Sequence, residues 1–212
     1  DLQEPLRTVS NYIQLIEEDY GGQLCDEVKF HLKTMDSAIF RMSNVVRSLL
    51  DFGKLGKNKQ LAYVNTNDIV NNVIADLNNL IHKSNATIEI DNELPSLYAY
   101  DTELRQLFQN LINHAIKFQR KDVAPRITIG SKQLEGYYEF FVSDNGIGME
   151  SKHFETIFHI FARVHCHDNY EGHGIGLANC KKITDMHGGK IWVESQLGKG
   201  STFRFTILNF KA

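Results

Sequence analysis

At 212 residues, with 42% apolar and 23% charged side chains, the chain has the composition of a folded protein with room for one large domain or two small ones. A formal net charge of −3 gives no basic surface of the kind nucleic acid requires, and no apolar run reaches the roughly 18 residues of a membrane-spanning helix. The three cysteines, Cys25, Cys166 and Cys180, are odd in number and far apart, which fits reduced thiols in a cytoplasmic setting rather than a disulfide framework.

Residues 1–55 carry the spacing of two long helices. Leu2, Leu6, Val9, Ile13 and Ile16 alternate at four and three residues in the first, and Val28, Leu32, Met35, Ile39, Met42, Val46 and Leu49 do so in the second. Tyr20 to Leu24, with Gly21 and Gly22, supplies the break between them. Two helices cannot cover such seams alone, so a second copy is expected to complete a four-helix bundle. Pro5 is expected to kink the first helix near its start. The chain begins at Asp1 without a methionine, which reads as a fragment of a protein with a sensor or membrane anchor upstream. No signal peptide is visible.

Residues 56–60 are glycine- and lysine-rich and read as a linker, and 61–212 as a second domain. There, Leu61 to Val64 is a short strand candidate, and Thr66 or Asn67 is expected to cap a helix carrying Ile69, Val70, Val73, Ile74, Leu77 and Leu80. Strand candidates follow at Thr87 to Ile90 and Leu97 to Tyr100, then a helix capped by Asp101 or Thr102 with Leu104, Leu107, Phe108, Leu111, Ile112 and Ala115 inward. Arg126 to Lys132 and Tyr137 to Ser143 read as strands joined at Glu135-Gly136. Ile175 to His187 reads as a helix, and Lys190 to Glu194 with Ser201 to Ile207 as a final hairpin. Paired strands mixed with helices predict an α+β sandwich rather than a doubly wound parallel sheet.

Three features of this domain carry chemistry. Asn110, His114 and Lys117 lie at i, i+4 and i+7 and share one face of a helix, which suits phosphates with a hydrated cation and equally suits a solvated face. Asp144-Asn145-Gly146-Ile147-Gly148-Met149 closes an apolar strand. A carboxylate there can accept from the amine of adenine and would repel the carbonyl of guanine, while Gly146 and Gly148 allow close backbone approach; a plain glycine turn has the same pattern. Glu171-Gly172-His173-Gly174-Ile175-Gly176-Leu177 opens a helix whose free N–H groups can meet an anion, without the lysine of a P-loop or the third glycine of a dinucleotide fold. About 25 residues separate the last two features, a length typical of a lid or of a disordered loop. His165-Cys166-His167 within it invites a metal, but no fourth ligand is suggested.

In this order the motifs resemble the GHKL ATPase superfamily and, within it, the sensor histidine kinases. Asn110 to Phe118 is similar to the asparagine box, Asp144 to Met149 to the first glycine box, Phe154 to Phe161 to the phenylalanine box and His173 to Leu177 to the second glycine box. His187-Gly188-Gly189-Lys190-Ile191-Trp192-Val193-Glu194-Ser195 and Gly198 to Phe203 continue the likeness. Asp1-Leu2-Gln3-Glu4-Pro5-Leu6-Arg7 is similar to the tail of the phosphoacceptor motif in its phytochrome-like variant.

The resemblance implies autophosphorylation of a hairpin histidine from Mg²⁺-ATP and transfer to an aspartate of a response-regulator receiver. The implied ATP site comprises Asn110, His114, Lys117, Asp144, Gly146, Ile147, Gly148, Arg163, His173, Gly174, Ile175, Gly176, Leu177 and Thr202. Asp144 would hold the adenine and Thr202 lie near the base, Asn110 would bind Mg²⁺, and Lys117, Arg163 and the glycine backbone would meet phosphates. Asp1 would polarise the acceptor imidazole, expected immediately before it, so that the chain as written is expected to bind ATP but not to phosphorylate itself at the usual site. His31 is expected to be a surface residue. Three positions depart from the pattern. His114 replaces the second asparagine of its box and prefers softer metals than Mg²⁺, His173 replaces the usual threonine, and Glu4 takes the place of a residue that serves phosphatase activity, which is therefore not expected. A degenerate, nucleotide-binding dimeric scaffold is the alternative. A gyrase-type ATPase ranks last, because Asn110 stands where those enzymes carry a glutamate base.

Overall fold

Two helices joined through a glycine turn form the first unit of the chain: α1 (Gln3–Tyr20) and α2 (Asp26–Lys54). The computed structural model describes residues 3–56, 60–162 and 174–209, and its backbone contacts divide into units Asp1–Lys54 and Leu55–Ala212. Between α1 and α2, Ile13, Leu32 and Ile39 are buried, Leu6 and Leu24 pack against them, and the Ser10 hydroxyl donates to the Asp36 carboxylate at 3.0 Å. Of the other described seam residues Val9, Ile16, Val28, Met35, Met42 and Leu49 stay exposed and Val46 is half-buried, while Phe30 and Phe40 are exposed as well. His31 is exposed, as expected. The expected kink does not appear as a break in α1. Pro5 sits in the first turn of the described helix, where a missing N–H leaves few carbonyls unpaired, and α1 continues to Tyr20. No described helix is long and apolar enough to cross a membrane.

The second unit begins with β1 (Leu61–Asn65), followed by α3 (Thr66–Asp76), α4 (Asn78–Ser84), β2 (Thr87–Ile90), β3 (Ser96–Tyr100) and α5 (Asp101–Lys117). Next come β4 (Arg126–Leu134), β5 (Tyr137–Asp144), α6 (Gly176–Met186), β6 (Ile191–Gln196) and β7 (Gly200–Leu208), with two short 3-10 turns between β5 and α6. β1 pairs antiparallel with β3. The other strands form a five-stranded sheet in the order β2-β4-β5-β7-β6, parallel only between β2 and β4. An α/β sandwich results: alternate strand residues (Ile127, Ile129, Phe140, Val142, Phe203, Phe205, Ile207) face the apolar stripe of α5 and Ile183 of α6. At its centre Phe108 of α5 meets Phe140 and Phe205 edge-on at 5.8 and 5.5 Å, and those two rings stack at 5.2 Å.

Two caps differ from expectation. The side chain of Asn65, not Thr66 or Asn67, caps α3 by accepting from the Asn67 N–H at 2.9 Å. The hydroxyl of buried Thr66 donates instead to the carbonyl of Pro95 at 2.7 Å. Neither Asp101 nor Thr102 caps α5; Tyr100 occupies the cap position, and its N–H donates to His187 Nε2 at 3.0 Å. The single long helix expected around Leu77 is two, α3 and α4, meeting at Leu77.

Candidate functional site

β5 ends on Asp144, where the strand passes from the sheet into the first glycine loop. One carboxylate oxygen, Oδ1, accepts from the backbone N–H of Gly146 at 2.8 Å and of Ser201 at 3.2 Å. Burial nevertheless pushes the carboxyl up from 3.8 to about 6, because these two amide bonds offset only part of the lost hydration. A partly buried carboxylate held by backbone, with no cation on it among the described residues, can accept from a further donor.

The glycine loop after Asp144 is fastened on every side. The Ile147 N–H donates to the Phe118 carbonyl at the end of α5 at 2.9 Å, and the Gly198 N–H donates to the Ile147 carbonyl at 2.7 Å. Arg120 donates through Nε to the Asn145 carbonyl at 2.8 Å and through Nη1 to the Gly198 carbonyl at 3.2 Å. Gly148 adopts φ +64°, and a side chain there would collide with the carbonyl of Gln196. At Gly146 a side chain would collide with the Phe118 carbonyl. The loop backbone therefore lies hard against α5 and the β6–β7 turn, and its position follows theirs.

α5 carries Asn110, His114 and Lys117, all half-buried, on one stripe, and spacings of three and seven residues set Asn110 and His114 on the same side of the helix as Leu107, not opposite it as the motif suggests. Gly176 at the start of α6 approaches so closely that an added Cβ would lie 3.7 Å from Asn110 Oδ1. Asn110 Nδ2 is buried without a hydrogen-bond partner among the described residues. Behind it the thiol of Cys180 is pushed up to about 12 by complete burial, a rise that the Asn110 side chain opposes. Among the described residues no side chain caps the start of α6, and Gly174, at φ +68°, accepts on its carbonyl from the Phe161 N–H at 2.8 Å. That bond holds the phenylalanine segment, with Ile157 and Phe158 buried, against the second glycine segment. The hard amide oxygen of Asn110, a bare helix N-terminus and a glycine-framed loop are a donor set that fits a nucleotide with a hard cation. His114 lies differently: its ring rests on Phe118 at 4.4 Å and edge-on to Phe203 at 5.0 Å, an aromatic setting rather than a ligand geometry.

The expected site residues fall into three groups. Asn110, Asp144, Gly146, Ile147, Gly148, Gly174, Ile175, Gly176 and Leu177 line the two facing loops and α5, with His114 and Lys117 further along α5. Thr202 is turned away. Its register partner is Ser143, one residue before Asp144, and the two hydroxyls bond at 2.8 Å on the opposite face of the sheet. Asp1, Arg163 and His173, and the 165–167 metal candidate, lie outside the described residues. No group of three or more His, Cys, Asp or Glu side chains able to hold a metal exists among the described residues. Residues that the sequence did not single out complete the floor. Ser201 supplies an N–H to Asp144, and Ser195 receives the Met149 N–H at 2.9 Å. Their signal in the sequence is faint, a pair of serines flanking a glycine turn.

A polar helix stripe with two glycine loops over a mostly antiparallel sheet is the arrangement of a known protein family. The chain belongs to the histidine kinase-, DNA gyrase B- and HSP90-like ATPase family, whose pattern matches residues 99–210. Within it, the helical hairpin and this domain together make the transmitter core of a sensor histidine kinase. Over 98% of its length the chain is similar to phytochrome-like protein Cph1 of Synechocystis sp. (41% identity) and to cyanobacterial phytochrome A of Nostoc sp. (43%), covering 28% and 27% of those proteins. It thus spans a little over a quarter of these relatives. The catalytic domain of histidine kinase ThkA superposes with a TM-score of 0.61 at 29% identity, over 71% of this chain and 97% of that one. Full-length ShkA, solved in complex with AMPPNP, shares the fold over 100% of this chain and 45% of its own, with a TM-score of 0.73 at 23% identity.

Proposed function

We propose that the second unit binds ATP and, as part of a protein-histidine kinase, donates its γ-phosphoryl to a histidine immediately before Asp1, from which a response-regulator aspartate receives it. The observation that carries this reading is Asp144, a partly buried carboxylate held by two backbone N–H groups beside a glycine loop. It accepts a hydrogen bond from the adenine amine. The N–H groups opening α6 and the Lys117 ammonium take phosphate oxygens, and Arg163 and His173 are assigned to the same phosphates from their place in the sequence. Asn110 holds Mg²⁺ through its amide oxygen, and that ion supplies charge neutralisation when bound. Asp1 orients and polarises the acceptor imidazole. The exposed apolar residues of α1 and α2 pack against a second copy, giving a cytoplasmic homodimer. The structure of ThkA with response regulator TrrA supports a receiver domain as the partner.

The aromatic packing of His114 favours one other reading, a nucleotide-binding dimeric scaffold with little turnover. Incubating a version extended through the preceding residues with radiolabelled ATP and Mg²⁺ separates the two. Acid-labile, base-stable label that vanishes in Asp144→Asn supports the kinase, ATP binding without label supports the scaffold, and absence of ATP binding overturns both.

A further inference from the structure

Ser195 of β6 sits opposite Ser201 of β7, on the same face of the sheet as Phe203 and Asp144. Its hydroxyl oxygen makes three contacts: it accepts from the Met149 N–H at 2.9 Å, donates to the Gly200 carbonyl at 2.9 Å, and lies 2.9 Å from the Ser201 hydroxyl. A hydroxyl owns one proton and two lone pairs. The Met149 N–H can only donate and the Gly200 carbonyl can only accept, so the one arrangement that makes all three contacts hydrogen bonds together gives the Ser195 proton to Gly200 and one lone pair to Met149. The remaining contact then has one possible direction, in which Ser201 donates its proton to Ser195.

This has a consequence for the base. Ser201 is joined to Asp144 through its own N–H, and the pairing of Ser143 with Thr202 puts the Ser201 and Asp144 side chains on the same face at the next position. With that hydroxyl's only proton consumed by Ser195, its oxygen offers lone pairs alone. Asp144, ionised above about pH 6, likewise offers only acceptors. Without Ser195 the Ser201 hydroxyl could rotate and donate, and a base carrying a carbonyl would find a partner there.

We propose that Ser195 is the positioning residue that sets the hydrogen-bond polarity of the base site: it holds Ser201 as an acceptor next to Asp144, so the site takes a purine with a 6-amine and rejects one with a 6-carbonyl. This rests on the ATP-binding reading above. The same hydroxyl ties Met149, at the end of the glycine loop, to the β6–β7 turn, so it places the loop as well as polarising the site.

The test is the ratio of ITP to ATP dissociation constants, measured by calorimetry with Mg²⁺ on the whole chain. A purely structural role for Ser195 would weaken both nucleotides together and leave the ratio alone. Ser195→Ala is expected to narrow the ratio by about three- to tenfold, one hydrogen bond's worth of discrimination, while Ser195→Thr, which keeps the hydroxyl, retains the wild-type ratio. In a Ser201→Ala background, Ser195→Ala is expected to change the ratio no further. An unchanged ratio in folded Ser195→Ala overturns the proposal. Should that variant not fold, an unchanged ratio in Ser201→Ala, which lacks the hydroxyl being polarised, overturns it equally. If the wild-type chain binds neither nucleotide, the ATP-binding reading itself fails, a distinct result.

Discussion

At Asp144, function and stability oppose each other. Burial holds the carboxyl near 6 in the folded chain, above its ordinary 3.8, so the folded state binds a proton more readily than the unfolded one. The ionised group therefore costs stability above about pH 6, and the cost is relieved as pH falls through that value toward 3.8. Asp144→Asn is expected to raise the denaturation midpoint at pH 8 by a gain of about 1–2 kcal/mol, with the gap to wild type narrowing below about pH 6 and closing near 3.8, while ATP binding is lost. A variant no more stable than wild type at pH 8 would refute the burial account. His114 poses the converse case, a polar residue settled among rings. If the imidazole limits turnover, His114→Asn raises the labelling rate of the upstream-extended protein on the order of tenfold or more. It also sacrifices ring contacts with Phe118 and Phe203 worth about 1 kcal/mol. A rate equal to wild type would clear the histidine of that charge. The departure at 114 was visible in the motif, but its aromatic surroundings were not, since Phe203 arrives from a strand far along the chain.

Among the elements, α5 does most to join core and site. Its apolar stripe was legible because helical periodicity is local, and the same periodicity put Asn110, His114 and Lys117 together on one stripe at its edge. Phe108 bears on both roles, because it packs Phe140 and Phe205 two residues before Asn110. Phe108→Ala is expected to cost about 3–5 kcal/mol, read as a lower denaturant midpoint at unchanged slope. A loss under about 1 kcal/mol would mean the three-ring cluster is not the keystone described. Helix starts were harder to see. Thr66 has the right side chain for a cap, but Pro95, brought next to it by the pairing of β1 with β3, takes its proton. Tyr100 runs from strand into helix without a side-chain cap, and its own N–H is taken by His187 from the far end of α6.

For the molecule as a whole, the exposed seam of α1 and α2 is the feature that a lone chain leaves unresolved. Phe40 is 67% exposed and Met35 50%, values at odds with water for residues on a heptad seam or its flank. Met35→Glu with Phe40→Glu is expected to shift sedimentation from dimer to monomer without altering ATP binding by the second unit. A persistent dimer would locate the interface elsewhere.

Local order was within reach of the sequence alone: the two helices and their turn, most strands, the polar stripe of α5 and the order of asparagine and glycine motifs all depend on neighbours a few residues apart. The glycine loop around Asp144 belongs to that set, because a strand end followed by Gly-x-Gly is a short-range pattern. Tertiary structure alone decided which hydroxyl stands beside Asp144. Thr202 and Ser201 are adjacent and chemically alike, and the side-chain alternation of β7, together with its register on β5, sends Thr202 to Ser143 and leaves Ser201 with Asp144 and Ser195. Register is a relation between strands distant in sequence, and a shift of one residue would exchange the two faces.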